Sequence, residues 1–494
     1  MKTRVMQCVL AAAVMWLGLA AIASAAEELS PAAALGPAIA VGAPENGYVG
    51  KLTVTPEHGA AGTPVRVVGE AFPGGEEFDL VWRTVRGRWK VSEAQYHGRE
   101  YVPVAYLIAR VRTDQAGRFV AEFRTPEDFG FSHDIVVQQG KRLFTQAGYM
   151  VDMRVTLSSK EGPVGAPITI NITGIGWRSL QNSWQLLYDN RFTGWISAVT
   201  TAGSAQVTIP ATGRPGVHML ELVHGEFTFP YRNMQQSPEP DRPQFALPFT
   251  VTEGPPILPP DAELQVQTMV HRLPAAGPLT ISPSFGAVGT PILARGQGFT
   301  PGKRVTLDWS TVAGNRVGGN GWQETSRPIA TATADAAGQL AFRFTAPDDL
   351  GGAHRLSVAE EEQPRSGTFW ITPSAASLNP AHGAVGTPFK IDLKGVGWTE
   401  TANIYTIVYD NSYIGYACGF NSQGDVEIPL YATGEPGWHF IDLYPAIYKG
   451  DESRPRNFRV PQLTYAADHP GEDLPHFRFA FLVTAGEKRD AAMR

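Results

Sequence analysis

Apolar and polar residues alternate with a period of two through many short runs of this chain. Phe78, Leu80 and Trp82 occupy every other position, as do Val305, Leu307 and Trp309, which is the pattern of a strand with one face in a core. The run 113–117, Thr-Asp-Gln-Ala-Gly, recurs at 334–338 as Ala-Asp-Ala-Ala-Gly. An Asp that opens a turn, followed three residues later by a Gly free to take positive φ, predicts a type I turn closed by a bulge. Phe119 and Phe123 follow the first turn, and Leu340, Phe342 and Phe344 the second; both runs stop at a proline, Pro126 or Pro347. Elsewhere, 184–188 and 192–200 flank Asp189-Asn190, which reads as a tight hairpin. No long stretch carries a helical period. The pattern predicts an all-β chain of sandwich domains with a strand every ~8–12 residues.

The chain also repeats itself. Residues 52–82 match 279–309 without a gap at 13 of 31 positions, and 162–195 match 383–416 at 13 of 34, so two different units are each present twice. Their order is A-B-A′-B′. All four open with Gly-x-x-Gly, then Thr or Ala, then Pro, and run to a Gly and an aromatic: Phe72, Trp177, Phe299 or Trp398. Periodicity at this scale marks a tandem array. The opening Pro56-x-x-Gly59-x-x-Gly62-Thr63, leading to Gly69 and Phe72, resembles the start of IPT/TIG and related bacterial immunoglobulin-like domains. The third and fourth units show it from Pro283 and Pro380, while the second departs with Ser159 where the proline belongs. The resemblance implies a surface or extracytoplasmic setting and a spacer, adhesive or accessory role, without chemistry of its own. The expected fold is therefore four immunoglobulin-like β-sandwich domains in an A-B-A′-B′ tandem duplication. The expected boundaries are a signal peptide at 1–25, a disordered segment at 26–49, A at 50–152 and B at 153–252. A Pro-rich linker at 253–277, A′ at 278–372, B′ at 373–485 and a tail at 486–494 complete the chain. The linker, with Gly254-Pro255-Pro256 and Leu258-Pro259-Pro260, reads as a hinge between two stiff A–B rods.

The first residues set the compartment. Lys2 and Arg4 precede an apolar run, 9–22, and Ala23-Ser24-Ala25 supplies a small-residue cleavage site. That order is a secretory signal, so the expected location is extracytoplasmic: periplasmic, cell-surface or secreted. No other segment approaches a membrane span, so none is expected after cleavage. The formal net charge is −6, and losing Lys2 and Arg4 makes the chain more acidic. A mildly acidic chain without basic blocks does not fit a nucleic-acid partner. Of two cysteines, Cys8 leaves with the signal and Cys418 remains, so no intrachain disulfide is expected.

Catalytic and metal signatures are missing: there is no Gly-x-Ser-x-Gly, no His-Glu-x-x-His, no zinc-type Cys pair and no phosphate-binding glycine loop. No enzyme activity, no metal and no cofactor is expected. His133, His218, His354 and His439 sit at matching places, one per unit, which reads as a strand-corner residue rather than a ligand set. The shared triplets Tyr188-Asp189-Asn190 and Tyr409-Asp410-Asn411 admit turn chemistry or a polar contact site. Each B unit has a long excursion before its last strand, 226–244 and 445–475, with Arg232-Asn233 and Arg456-Asn457 in matching positions. Long loops in compact sandwiches tend to be functional, so these residues join the triplets as candidate binding residues. A stretch rich in Arg, Trp and Tyr at 83–106 reads either as a basic aromatic loop or as a longer hairpin. The expected function is that of a non-enzymatic exported structural or adhesive protein presenting loops to a protein or polysaccharide of the cell envelope. A carbohydrate-binding accessory protein of the periplasm or cell surface is the alternative.

Overall fold

The structure, a computed structural model, describes residues 35–45, 47–92, 94–226, 229–233, 235, 244–260, 278–314, 321–359, 365–448 and 459–485. Among them the chain is all-β, with eight sheets in four pairs. In the first pair, Lys51–Thr55, Pro64–Glu70 and Phe119–Arg124 form a three-stranded antiparallel sheet. Facing it is a larger sheet in the order Ala43–Pro44, Arg142–Val151, Phe131–Gln139, Glu77–Ser92, Gln95–Arg112. Alternation does what its period demands: in Pro64–Glu70 the residues at 65, 67 and 69 are buried and those at 64, 66 and 70 exposed. Val65, Val67, Phe78, Leu80, Trp82 and Ile135 meet in one core between the sheets. The same plan recurs three times, with its own core each time.

The shared glycine motif has a physical reading. A Cβ on Gly59, Gly162, Gly286 or Gly383 would stand 2.5–2.7 Å from the side chain four residues on, Thr63, Ala166, Thr290 or Thr387. The second glycine of each motif has φ of +81° to +89° (Gly62, Gly165, Gly289, Gly386), a turn that L side chains rarely adopt. The turn returns the chain from the large sheet, where His58–Gly59 pairs in parallel with Arg142–Val151, to the small sheet at Pro64–Glu70.

Two expectations change, and one open alternative is decided. The disorder expected over 26–49 does not hold for the described part of that segment. Ala43–Pro44 pairs in parallel with Arg142 and Leu143, and Ile39 and Val41 cover a satellite cluster of Val81, Ala105, Val136 and Leu143, which removes enough apolar surface from water to order the segment. Of the two readings of 83–106 the longer hairpin holds, Glu77–Ser92 with Gln95–Arg112, long enough to leave its own sandwich. The two halves are also not rods joined only by a hinge. Residues 253–260 lie along B, where Ile257 N donates to Val164 O at 2.8 Å, and Leu258, Pro259 and Pro260 share a cleft with Trp438 and Phe479 of B′. Residues 261–277 lie outside the described residues.

Within each half the joint between units repeats. Gly130 N donates to Ile175 O at 3.0 Å, and Gly351 N to Val396 O at 3.1 Å. A Cβ on either glycine would fall within 2.0 Å of a carbonyl oxygen across the joint, so the two backbones approach as closely as glycine permits.

Candidate functional site

The halves are held together by the B′ excursion. Its described part, 459–475, turns back over B. Trp195 N donates to Pro461 O at 2.7 Å, and Leu463 N to Trp195 O at 2.8 Å, so three residues of B′ extend the edge strand Arg191–Ile196 of B. Asp468 lies at the centre of the contact and is buried. Its Oδ1 accepts from Trp89 Nε1 (2.9 Å), Thr200 N (2.9 Å) and Thr200 Oγ1 (2.7 Å), and its Oδ2 from Val199 N (2.7 Å). One carboxylate thus ties the A hairpin, the end of a B strand and B′ together, and four donors compensate for its desolvation. Ser197 and Gln462 extend the network, with Gln462 Nε2 donating to Ser197 Oγ at 3.0 Å and to Asp468 O at 2.6 Å. A second strap joins Tyr96 N to Glu400 Oε2 at 2.8 Å.

Two clefts flank this segment. The larger, about 700 Å³, is walled by Arg88 and Trp89 of A, Thr200 of B, Trp370 of A′ and Ala467 with residues 469–473 of B′. Glu472 lines it; burial, opposed only by a hydrogen bond from Thr399, pushes its carboxyl up to about 7. The smaller, about 300 Å³, lies between Gln206 and Thr208 of B and Tyr444, Gln462, Tyr465, His469, His476 and Arg478 of B′. Behind it, Asp442 Oδ1 accepts from His476 Nε2 at 2.7 Å and from Arg478 Nε at 2.6 Å. Burial raises a carboxyl, but the Arg478 charge and the two hydrogen bonds outweigh it and hold Asp442 below its usual range. For His476 burial wins and favours the neutral ring, which stacks on Tyr444 at 4.3 Å.

The residues singled out from sequence are brought into different settings. Tyr188 is buried and its hydroxyl donates to Thr212 O at 2.8 Å. Asp189 receives Met219 N on Oδ1 and faces His218 Nδ1 with Oδ2. B′ repeats this: Tyr409 donates to Thr433 O, and Asp410 receives Phe440 N and faces His439 Nδ1. Asn190 and Asn411 are both left-handed, at φ of 63° and 59°, but Asn190 is exposed and Asn411 is 1% exposed. Asn411 Nδ2 donates to Pro210 O at 2.8 Å and Thr212 Oγ1 at 3.1 Å, and its carbonyl receives Thr193 Oγ1, so it belongs to the contact between B and B′. Arg232 and Asn233 are exposed, with Arg232 on Glu221 at 3.2 Å. Arg456 and Asn457 lie outside the described residues. All four corner histidines have Nε2 on the carbonyl four residues back: Phe129, Arg214, Leu350 or Glu435. His133 and His354 also stack on Trp82 and Trp309, whose Nε1 atoms donate to Asp128 and Asp349.

Sequence reasoning missed Asp468, Glu400, Gln462 and the Asp442–Arg478 pair. Of these, only Asp468 and Gln462 lie in the B′ excursion, whose unusual length is the one signal that marks them.

No protein-family model matches the chain, and no curated protein does. Solved structures similar to it include an ICAM-5 D1–D4 ectodomain fragment (11% identity over 87% of this chain and 99% of that one, TM-score 0.17). The N-terminal four Ig domains of Dscam1 isoform 7.44 (10%, 89% and 99%, 0.19) and the solved chain of a study of host cell surface retention of a 1.5-MDa bacterial ice-binding adhesin (13%, 67% and 98% of that solved chain, 0.13) are others. At these TM-scores the likeness carries no argument about arrangement or function.

Proposed function

We propose that the chain is an exported, non-enzymatic binding protein, an A-B-A′-B′ array of IPT/TIG-like sandwich units that engages a protein or polysaccharide of the cell envelope. The observation that carries this reading is the B′ excursion. Instead of hanging free it builds a composite junction, and the larger cleft beside it takes walls from A, B, A′ and B′. Such a surface exists only when both halves are docked, and its Arg, Trp and carboxyl groups offer the stacking face and polar contacts that macromolecular recognition uses. The corner histidines support the non-enzymatic part, because their rings are spent on backbone carbonyls and neighbouring side chains. The smaller cleft, with Arg478, His476, Gln206 and Thr208 beside Tyr465, favours a carbohydrate over a protein as the bound group.

The test starts from a glycan array and from envelope polysaccharide, probed with the full chain. For the ligand found, Arg88→Ser with Trp370→Ala is expected to weaken binding about tenfold, a loss of ~1.4 kcal/mol, with the melting temperature nearly unchanged. Undiminished binding by that variant, with loss on Asn190→Ala and Arg232→Ala instead, would move the site to the exposed end of B.

A further inference from the structure

The smaller cleft rests on a pair of residues that B does not have. Gly437–Pro445 and Phe477–Thr484 pair so that Asp442 stands opposite Arg478. The same register positions of B are occupied by Glu221 and Ala246. Asp442 is 1% exposed, and its Oδ1 accepts from both His476 Nε2 and Arg478 Nε. One buried carboxylate therefore orients two side chains that line the cleft and stay open to it, 25% and 15% exposed.

These bonds fix what each side chain can offer. An ionised carboxylate only accepts, so His476 Nε2 carries the proton, and in the neutral ring that leaves Nδ1 as an acceptor. Nδ1 takes no hydrogen bond from the described residues. Arg478 has five N–H groups and gives one of them to Asp442. A donor and an acceptor are thus held side by side. Two tyrosine rings lie next to them, each stacked on a histidine: Tyr444 on His476 at 4.3 Å and Tyr465 on His469 at 5.4 Å. Among the described residues Arg478 is the one Lys or Arg in the lining, and Asp442 neutralises it, so the cleft has no spare positive charge for an anion. Its volume of about 300 Å³ is at the low end for ligand sites.

We propose that the smaller cleft binds a neutral sugar residue, with His476 Nδ1 accepting from one hydroxyl and the Arg478 guanidinium donating to its neighbour. Vicinal hydroxyls match that pair, because each both donates and accepts, whereas a carboxylate or phosphate has no proton for Nδ1. The C–H face of the ring suits the tyrosines, and the exposed Gln206 and Thr208 of B form the opposite wall. The proposal rests on the reading of the chain as an envelope-binding protein and narrows its ligand to an uncharged saccharide.

The probes are methyl glycosides of glucose, galactose, mannose and N-acetylglucosamine, with glucuronate and galacturonate as charged counterparts. Each is titrated into the full chain and read by saturation-transfer NMR. Saturable binding of a neutral glycoside is expected, with the uronates weaker. His476→Phe keeps a ring against Tyr444 and removes the acceptor, and should weaken binding about tenfold. Thr208→Trp adds bulk at an exposed position of the opposite wall, serves as the second variant should His476→Phe fail to fold, and should abolish binding. Tighter binding of the uronates would overturn the neutral class. Absence of saturable binding by every glycoside would overturn the site, as would binding by both variants equal to wild type. If the full chain still retains an envelope polysaccharide or protein in that case, the wider reading survives the loss of this one; if it retains neither, both fall.

Discussion

The corners that close B and B′ are built from the same residues, bonded the same way, and set in different surroundings. Each has a Tyr hydroxyl on a carbonyl 24 residues on, an Asp bridging a backbone N–H and a His, and a left-handed Asn. In B the Asn faces water; in B′ it is buried and holds two atoms of B. The edge strand of B is in turn extended by Pro461–Leu463 of B′. The two units thus share their local geometry, and the docking of one on the other decides which polar groups remain available. A motif present twice is evidence of a shared turn, whereas function has to be sought where the copies diverge.

Asp468 is the largest divergence, since it sits in an excursion whose B counterpart is shorter. Asp468→Ala leaves Val199 N, Thr200 N and Trp89 Nε1 without their acceptor inside the junction. A loss of about 3–5 kcal/mol is expected in urea unfolding, since each buried donor left unsatisfied costs about 1–3 kcal/mol. The comparison with the rod-and-hinge picture is sharpened by nicking the linker within 261–277. Wild-type halves should stay associated through gel filtration and Asp468→Ala halves should separate. Halves that part in both proteins would return the chain to two independent rods.

Paired substitutions at Asn190 and Asn411 test the corners directly. Asn→Gly keeps the left-handed backbone comfortable at both positions, so the difference isolates the side chain. Asn411→Gly loses its bonds to Pro210 O and Thr212 Oγ1 and should cost about 2 kcal/mol, against under about 0.5 for Asn190→Gly. Equal costs would mean that burial at the B–B′ contact is not what separates the two corners.

Much of the fold is legible in the sequence because its causes are local. The Gly59–Thr63 contact, the Asp114 turn and the alternation at 78, 80 and 82 each involve residues within a few positions of one another. The corners are legible to the extent that a Tyr-Asp-Asn turn predicts αL geometry. The junction is not. Trp89 and Asp468 are 379 residues apart, and a lone Asp in a loop carries no mark of four distant donors. The B′ excursion stands out by its length, but length cannot say whether a loop turns outward to a partner or inward to its own chain, and 459–475 turns inward. The hairpin at 83–106 is similar: its charges and aromatics are visible in sequence, and only tertiary contact shows that Trp89 points at Asp468.

The smallest expected effect concerns pH and the B′ corner. At His439 burial works against the charged ring, but the hydrogen bond and charge of Asp410 outweigh it, and the ring titrates above its ordinary value of 6.5. A raised folded value means that the pair stabilises fully below pH 6.5 and that this contribution is lost as pH rises through the folded value. Asp410→Asn retains an oxygen for Phe440 N and removes the charge, so the deficit against wild type should be greatest at acid pH, about 1 kcal/mol near pH ~5.5, and should shrink as pH rises past neutrality. Thermal melts of wild type and Asp410→Asn from pH ~5 to ~8 measure that slope. A slope of opposite sign would show that desolvation of the ring, not its carboxylate, governs His439.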